Sequence, residues 1–274
     1  MKIALVQQPI SVLTVPAQSG SLEVWTYEVA RRLARSCQVT VYSKRGRGQA
    51  ECEVVEGVCY RRIATGIEDR MMAFPEQHPK VQRLPLFRNV RRPLFAASAA
   101  YLEYGLKLAR EIRKRGCDFV HISNFSQIVP VVRAFNPAVK IALHMQCEWL
   151  NQLDSRMIER RLRKCDLVIG CSDYITGRIQ SAFPQFAARC QTVYNGVDVS
   201  RFVPDENRRT RENGVKRLLF VGRIWPDKGP HVLLEAFKKV AERHPQVQLE
   251  FVGWKQGPPP EYVVNLSDDE QVRR

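Results

Sequence analysis

The most chemically specific stretch of the chain is the ten-residue sequence FVGRIWPDKG at residues 220–229. The apolar run before it predicts a strand with Arg223 at its C-terminal exit, and Lys228 follows five residues later, just before a predicted helix. The N-H groups and the dipole of a helix N-terminus also favour an anion. Two cations and a helix end therefore indicate a diphosphate ligand, which Gly222 and Gly229 would allow the backbone to approach. The alternative is that both cations are ordinary surface charges.

A second group of candidate residues follows another predicted strand. His144 ends the apolar run from Lys140, and Glu148 lies four residues further on. A histidine at a strand exit is as typical of a structural residue as of a functional one. His121, on the strand before, is predicted to be structural or to line a substrate. Eight scattered cysteines without a C-x-x-C pair indicate no metal site.

These residues belong to a chain of 274 residues in which Lys and Arg number 43 and Asp and Glu 28, a formal net charge of +15. A hydrophobic content of 45% excludes a disordered chain, and no apolar run is long enough for a membrane-spanning helix. A positive field predicts an anionic partner, which could be nucleic acid, an anionic membrane or a phosphorylated small molecule. Nucleic acid is the weakest of these, because no recognised binding motif accompanies the charge.

Short apolar runs alternate with segments of helical period, which predicts an α/β fold with a mostly parallel sheet. We expect a first domain over residues 1–204 and the start of a second over 205–274. The first contains predicted strands at 2–6, 38–42, 52–62, 118–122, 140–144 and 167–171, and a helix over 21–34. The second contains strands at 217–221 and 248–252 around a helix over 230–243.

Residues 80–115 are strongly basic, and 94–115 have helical character. The segment holds only two acidic residues against ten basic ones: Lys80, Arg83, Arg88, Arg91, Arg92, Lys107, Arg110, Arg113, Lys114 and Arg115. One interpretation is a core-packed helix whose cations complement its C-terminus. The other is a patch that docks on anionic lipid.

The stretch 220–229, together with NGVD at 195–198, FVP at 202–204 and LEFVG at 249–253, resembles the GT-B-fold glycosyltransferases of family 4. The resemblance runs the full length of the chain. At residues 20–23 the chain has GSLE where the family usually has a Gly-Gly step. The resemblance implies two Rossmann-like domains, the first on the acceptor side and the second binding the donor.

The same resemblance implies roles for individual residues. Gly20 would approach the donor phosphate, Arg223 and Lys228 would stabilise the departing diphosphate, and His144 would face the transferred sugar. Gly222, Glu148 and Asn195 complete the candidate substrate-binding residues, although Asn195 with Gly196 has the composition of a turn. The family's Glu-x7-Glu motif is missing after Gly253, so the chain is expected to be truncated in its second domain.

We therefore expect a cytoplasmic glycosyltransferase, peripheral on the inner face of the plasma membrane if residues 80–115 dock there. It would move a sugar, with retention, from a nucleotide-diphosphate-sugar to a hydroxyl of a glycan or lipid-linked acceptor. No cofactor or metal is expected, because no strand-end Asp-x-Asp is present to hold one. The rival interpretation is a non-catalytic homologue that binds an acceptor or a membrane. A dehydrogenase is disfavoured, since no G-x-G-x-x-G follows the first strand.

Overall fold

A computed structural model of the chain describes residues 1–17, 20–71, 91–203 and 216–253. The chain divides into two compact units, Met1–Gly196 and Val197–Arg274. The predicted boundary between residues 204 and 205 falls outside the described residues and stays a prediction.

The first unit is built on one mostly parallel sheet. In the described ranges it has eight strands in the order β3-β4-β2-β1-β5-β6-β7-β8, and β3 is antiparallel to β4. The strands are β1 (Lys2–Val6), β2 (Gln38–Lys44), β3 (Cys52–Val55), β4 (Val58–Ile63), β5 (Phe119–Ser123), β6 (Lys140–Met145), β7 (Leu167–Gly170) and β8 (Cys190–Thr192). The chain forms one half of the sheet with β2, β3 and β4, where β3 is the edge strand, and then returns to the other side of β1 with β5.

Helices connect the parallel strands. They are α1 (Ser21–Leu33), α2 (Leu102–Arg115), α3 (Val129–Phe135), α4 (Trp149–Gln152), α5 (Ser155–Leu162) and α6 (Asp173–Ala182). Their ends carry ordinary capping signals: Asp154 accepts from the N-H of Met157 at 2.8 Å, Ser172 accepts from the N-H of Ile175 at 3.3 Å, and Gly116 ends α2 in the left-handed conformation. The N-terminal half of the sheet encloses a core of aliphatic side chains and one tyrosine: Ile3, Leu5, Leu13, Ala30, Val39, Val41, Val58 and Tyr60.

Two predicted elements differ from the structure. The single strand expected over 52–62 is a hairpin, because Glu56 and Gly57 both have positive φ, 50° and 77°, and make a tight reversal between β3 and β4. The helix expected from Leu94 begins at Leu102, after two short 3-10 turns at Leu94–Ala96 and Ser98–Tyr101. Residues 80–90 of the basic segment lie outside the described ranges.

A buried arginine joins three segments of the first unit. Arg161 of α5 is only 3% exposed. Its guanidinium donates to the hydroxyl of Ser126 at 3.1 Å, the hydroxyl of Ser98 at 3.3 Å and the carbonyl of Ala96. Burial lowers the pKa of Arg161 to about 10. The side chain therefore fixes the 94–101 segment against the loop that follows β5.

The second unit contains a β-α-β element. Strands β9 (Lys216–Val221) and β10 (Val247–Val252) are parallel neighbours, and α7 (Pro230–Arg243) connects them with Pro230 in its first turn, as the sequence predicts. The rings of Phe220 and Phe251 pack 5.2 Å apart across the two strands. The strand exits at the carboxyl end, where Gly222 and Gly253 follow β9 and β10, are the part of this unit that bears on function.

Candidate active site

Polar side chains in the first unit gather at the carboxyl ends of its central strands. The order of the strands reverses between β1 and β5, and ligands of open parallel sheets bind in the crevice at such a reversal. Gln7 follows β1 there and is 1% exposed, and its amide donates to the carbonyl of Leu22 at 3.0 Å. The two candidate histidines, His121 on β5 and His144 on β6, lie on the neighbouring strands at this same end.

The two histidines are hydrogen-bonded to each other. His121 Nε2 lies 3.0 Å from His144 Nδ1, and the rings are 7% and 2% exposed. Trp25 of α1 packs on both: its ring is stacked on His121 at a centroid distance of 5.3 Å and meets His144 edge-on at 5.2 Å. Helix α1 thus places Trp25 over the histidine pair.

Both histidines are neutral at physiological pH. Burial lowers the pKa of His121 to about 3, with a smaller contribution from the neighbouring His144, and burial lowers the pKa of His144 to about 4. A neutral imidazole has one N-H and one acceptor nitrogen. The hydrogen-bond partners of each ring therefore determine which of its two nitrogens carries the proton.

Two residues connect the histidine pair to the surface. The Gln146 amide nitrogen lies 3.1 Å from His144 Nε2 and donates to Asn195 Oδ1 at 3.1 Å, while the Asn195 amide donates back to Gln146 Oε1 at 2.7 Å. We call Gln146 and Asn195 the amide pair. Asn124, which follows β5 with a φ of 56°, accepts from the backbone N-H of Gln146 at 2.5 Å and donates its own N-H to the His144 carbonyl at 2.7 Å.

The structure places the other two first-unit candidates differently. The Glu148 carboxylate is paired with Arg178 at 3.2 Å and accepts from the Tyr174 hydroxyl at 3.2 Å, so it is held by α6. Gly20 is the N-cap of α1, with a φ of 79°, and a Cβ at this position would overlap the Glu23 carboxylate. The Glu23 carboxylate therefore occupies the space beside Gly20 at the start of α1.

In the second unit, Arg223 and Lys228 lie on either side of a carboxylate. Asp227 Oδ2 is 3.9 Å from Arg223 Nη2 and 3.8 Å from Lys228 Nζ, and both cations are about half exposed. The guanidinium of Arg223 also packs over the Trp225 ring at 4.9 Å, a cation-π contact that restrains it. We call residues 222–229 the cationic loop. The spacing of Arg223 and Lys228 predicts that the two cations share a loop, but it does not predict the contact with Asp227, which reduces their combined charge.

Glycines shape the cationic loop for reasons that differ from the prediction. Gly229 has a φ of 68° and turns the chain into α7, which an L side chain would oppose. A Cβ on Gly222 would make only ordinary contact with Phe220 at 3.6 Å, whereas a Cβ on Gly253 would overlap the carbonyl oxygen of Gly222. The close approach of the strand exits therefore requires glycine at 253 and not at 222.

The described part of the basic segment packs as a core helix. The buried face of α2 consists of Tyr104, Gly105, Leu108, Ala109 and Ile112. Lys107 pairs with Glu103 at 2.7 Å and Arg115 with Glu111 at 3.9 Å, while Arg113 and Lys114 lie exposed at the helix C-terminus. Residues 80–90 lie outside the described ranges. This arrangement supports the first interpretation of α2 and leaves lipid docking a prediction.

Within the part of the chain that the structure describes, no group of three or more His, Cys, Asp and Glu side chains could hold a metal ion together. Of the helices formed by these described residues, none has both the length and the apolar character needed to cross a bilayer.

Models of two protein families match the chain. Residues 22–201, well over half of the chain, match "Glycosyltransferase Family 4", and residues 204–274 match "Glycosyl transferases group 1". The chain belongs to glycosyltransferase family 4. The two matches confirm the resemblance that the sequence motifs indicate.

Individual proteins agree with the family assignment. The family 4 chain is similar to spore coat protein SA of Bacillus subtilis, 29% identical over 93% of this chain and 61% of that protein. It is also similar to a D-inositol 3-phosphate glycosyltransferase of Kribbella flavida, 23% identical over 90% of this chain and 60% of that protein. The chain thus spans about three fifths of the length of these relatives.

A solved structure shows the fold. Sucrose-phosphate synthase from Thermosynechococcus elongatus matches with a TM-score of 0.62 and 17% identity, covering 94% of this chain and 64% of that one. The predicted α/β, GT-B-like fold class is confirmed. The roles of the individual site residues stay predictions.

Proposed function

We propose that this chain is the acceptor-side domain and the beginning of the donor domain of a retaining, nucleotide-sugar-dependent glycosyltransferase. In this proposal the cationic loop binds the donor diphosphate, and the carboxyl edge of the first unit binds the acceptor. The observation that carries the proposal is the placement of Arg223 and Lys228 around the exit of β9 and the start of α7. The membership in family 4 and the names of the relatives support it.

The cationic loop has the chemistry that a departing diphosphate needs. As the bond between the sugar and the phosphate lengthens, negative charge grows on the diphosphate. Arg223, restrained by Trp225, and Lys228 supply positive charge there, and the N-terminus of α7 adds N-H donors. Groups that are in place before the reaction stabilise the developing charge without having to reorganise.

Asp227 has a consequence for this step. It lies within 4 Å of both cations and draws part of their charge when no donor is bound. A bound diphosphate would compete with Asp227 for the same two side chains. The carboxylate therefore weakens donor binding, and it also keeps the two cations together at one point of the loop.

The acceptor side is proposed to take a hydroxyl of a glycan or a lipid-linked glycan. The carboxyl edge of the first unit offers hydrogen-bonding side chains around His144. Such groups orient a neutral sugar, and in this proposal the cationic loop supplies the positive charge that stabilises the departing diphosphate. If residues 80–115 bind anionic lipid, the acceptor is lipid-linked and the protein acts at the inner face of a membrane.

The donor half of the proposal can be tested by calorimetric titration of the whole chain with UDP, UDP-glucose and GDP-mannose. We expect binding that weakens with salt and that Arg223→Ala and Lys228→Ala each reduce by about tenfold, since a charge-assisted hydrogen bond contributes about 1.5 kcal/mol or more. Arg217→Ala is the matched control, because Arg217 is exposed at the other end of β9.

Turnover is tested separately by the release of UDP or GDP in the presence of hydroxylated acceptors, and retention by the anomeric configuration of the product. Equal losses in Arg223→Ala and Arg217→Ala would show that the diphosphate is not held by this loop. Binding of an acceptor without any donor binding would favour the rival function, a non-catalytic acceptor-binding protein.

A further inference from the structure

The side chain that the candidate site of the first unit presents to a ligand is Gln146, not His144. His144 is 2% exposed, and both of its ring nitrogens have partners within the protein, His121 on one side and Gln146 on the other. Gln146 is half-buried and Asn195 is exposed. A substrate that approaches this edge meets the amide pair first.

We propose that the amide pair of Gln146 and Asn195 binds a sugar hydroxyl, and that His144 and His121 are positioning residues that fix which edge of the Gln146 amide faces outwards. This inference rests on the proposed function, since it names the part of the acceptor edge that recognises the substrate. It assigns a binding role to Gln146, which the sequence motifs do not single out.

The protons can be followed through the hydrogen-bonded chain. The Gln146 NH2 group donates to His144 Nε2, so this nitrogen carries no proton. The single proton of the neutral His144 ring is then on Nδ1, and it is donated to His121 Nε2. The proton of His121 is left on Nδ1, which is buried without a side-chain or backbone partner in the described ranges.

This arrangement leaves a defined outer edge. Both N-H groups of Gln146 are used, one by His144 and one by Asn195, and one N-H of Asn195 is used by Gln146. The second N-H of Asn195 and the second lone pair of Gln146 Oε1 remain for a ligand, with no other partner among the described residues. A donor beside an acceptor matches a hydroxyl, which both donates and accepts.

The surroundings hold the amide pair before a ligand arrives. Trp25 restrains both histidine rings, and Asn124 fixes the backbone N-H of Gln146. Gln146 is therefore held at its backbone N-H by Asn124 and at its side-chain amide by His144 and Asn195. A group held in this way loses little freedom when it binds a ligand, which favours affinity.

The test uses ¹⁵N-labelled whole chain and the side-chain amide signals of Gln146 and Asn195, assigned by their loss in variants. Free N-acetylglucosamine and myo-inositol are the hydroxyl probes of the acceptor arm, and UDP-glucose compared with UDP is the donor arm. We expect saturable shifts of both amide signals with at least one sugar. Gln146→Leu should weaken that binding about tenfold, while Gln191→Leu, an exposed glutamine on β8, should leave it unchanged.

The positioning role has a spectroscopic signature. Long-range ¹H-¹⁵N spectra should show His144 as the Nδ1-H tautomer in the wild type. Gln146→Glu places only oxygens against His144 Nε2, so the ring proton should move to Nε2. His121→Leu removes the acceptor of the Nδ1-H and should produce a mixture of tautomers and weaker sugar binding. A purely structural histidine pair would leave sugar binding unchanged when the His144 tautomer changes.

Two results would overturn the inference: amide signals that no sugar shifts, or a His144 tautomer that is the same in the wild type and in Gln146→Glu. The same spectra test the donor proposal, because UDP bound by the cationic loop should shift the backbone amide signals of Gly222 and Gly229. Shifts there without shifts at the amide pair would refute this inference alone. The opposite pattern would support it and refute donor binding by the cationic loop.

Discussion

The buried histidine pair should make the first unit unusually sensitive to mild acid. In the unfolded chain, His121 and His144 take up protons as the pH falls below an ordinary histidine pKa of 6.5. In the folded chain, the pKa is about 3 for His121 and about 4 for His144, so both rings stay neutral to a much lower pH. The unfolded state then binds more protons than the folded state, so stability falls as the pH falls. The stability that the neutral pair contributes is fully present above pH 6.5 and is lost as the pH falls to about 4 for His144 and to about 3 for His121.

The size of the effect follows from the same shifts. Each proton taken up only by the unfolded state lowers the free energy of unfolding by about 1.4 kcal/mol per pH unit. From about pH 7.5 to about pH 5, each histidine thus removes about 2 kcal/mol and the pair about 4 kcal/mol, a large part of the ~5–15 kcal/mol typical of a domain. Glu68 acts in the opposite direction, because burial raises its pKa and its protonation favours the folded state as the pH falls.

Hydrogen exchange measured by mass spectrometry on peptides from β5 and β6 reports the stability of the first unit alone. His144→Gln should halve the loss between the two pH values, and His121→Gln with His144→Gln should nearly remove it. His244→Gln, at an exposed residue after α7, is the control and should change nothing. Glu68 is present in every variant, so its contribution cancels in the comparison. An equal acid response in the wild type and the double variant would refute the assignment of the neutral pair.

Three further outcomes follow from the structure. Asp227→Asn should tighten UDP binding by about threefold to fivefold in calorimetry, because it releases both cations of the loop; unchanged or weaker binding would show that Asp227 does not compete with the diphosphate for these cations. Arg161→Ala should lower the free energy of unfolding in urea by about 3 kcal/mol, since it leaves a cavity and unpaired polar groups, and a loss below about 1 kcal/mol would show that the site relaxes. If residues 80–115 dock on lipid, co-sedimentation with anionic vesicles should decline with salt and on changing Arg88, Arg91 and Arg92 to Gln, and binding that ignores both changes would exclude docking through these charges.

The sequence predicts the fold where local signals and packing agree. Helix α7 was predicted from Pro230 to Arg243 because Pro230 marks its first turn and its apolar residues share one face. Strand β8 was missed because Cys190–Thr192 is only three residues long and carries no recognisable alternation. The sequence predicts one strand in place of the β3–β4 hairpin, because Glu56 before Gly57 is a weaker turn signal than Asn or Asp in that place.

The site was predicted in part for a similar reason. Arg223 and Lys228 are close in the chain, so their spacing alone indicates that they share a loop. The pairing of His121 with His144 depends on the neighbouring positions of β5 and β6 and on their register, which single-residue patterns do not contain. Gln146 could have been found as a polar residue at a strand exit, but its contact with Asn195 joins residues 49 positions apart.

The depressed pKa of His144 has a consequence for recognition as well as for stability. A protonated ring would donate from both nitrogens, and Gln146 would have to turn its oxygen towards Nε2 and its NH2 outwards. The outer edge of the amide pair would then present donors where it now presents an acceptor beside a donor, and a hydroxyl would no longer match it. Burial under Trp25 keeps His144 neutral down to about pH 4, so the amide keeps one orientation throughout the physiological range. The same desolvation that weakens the fold in acid therefore preserves the polarity of the proposed binding edge.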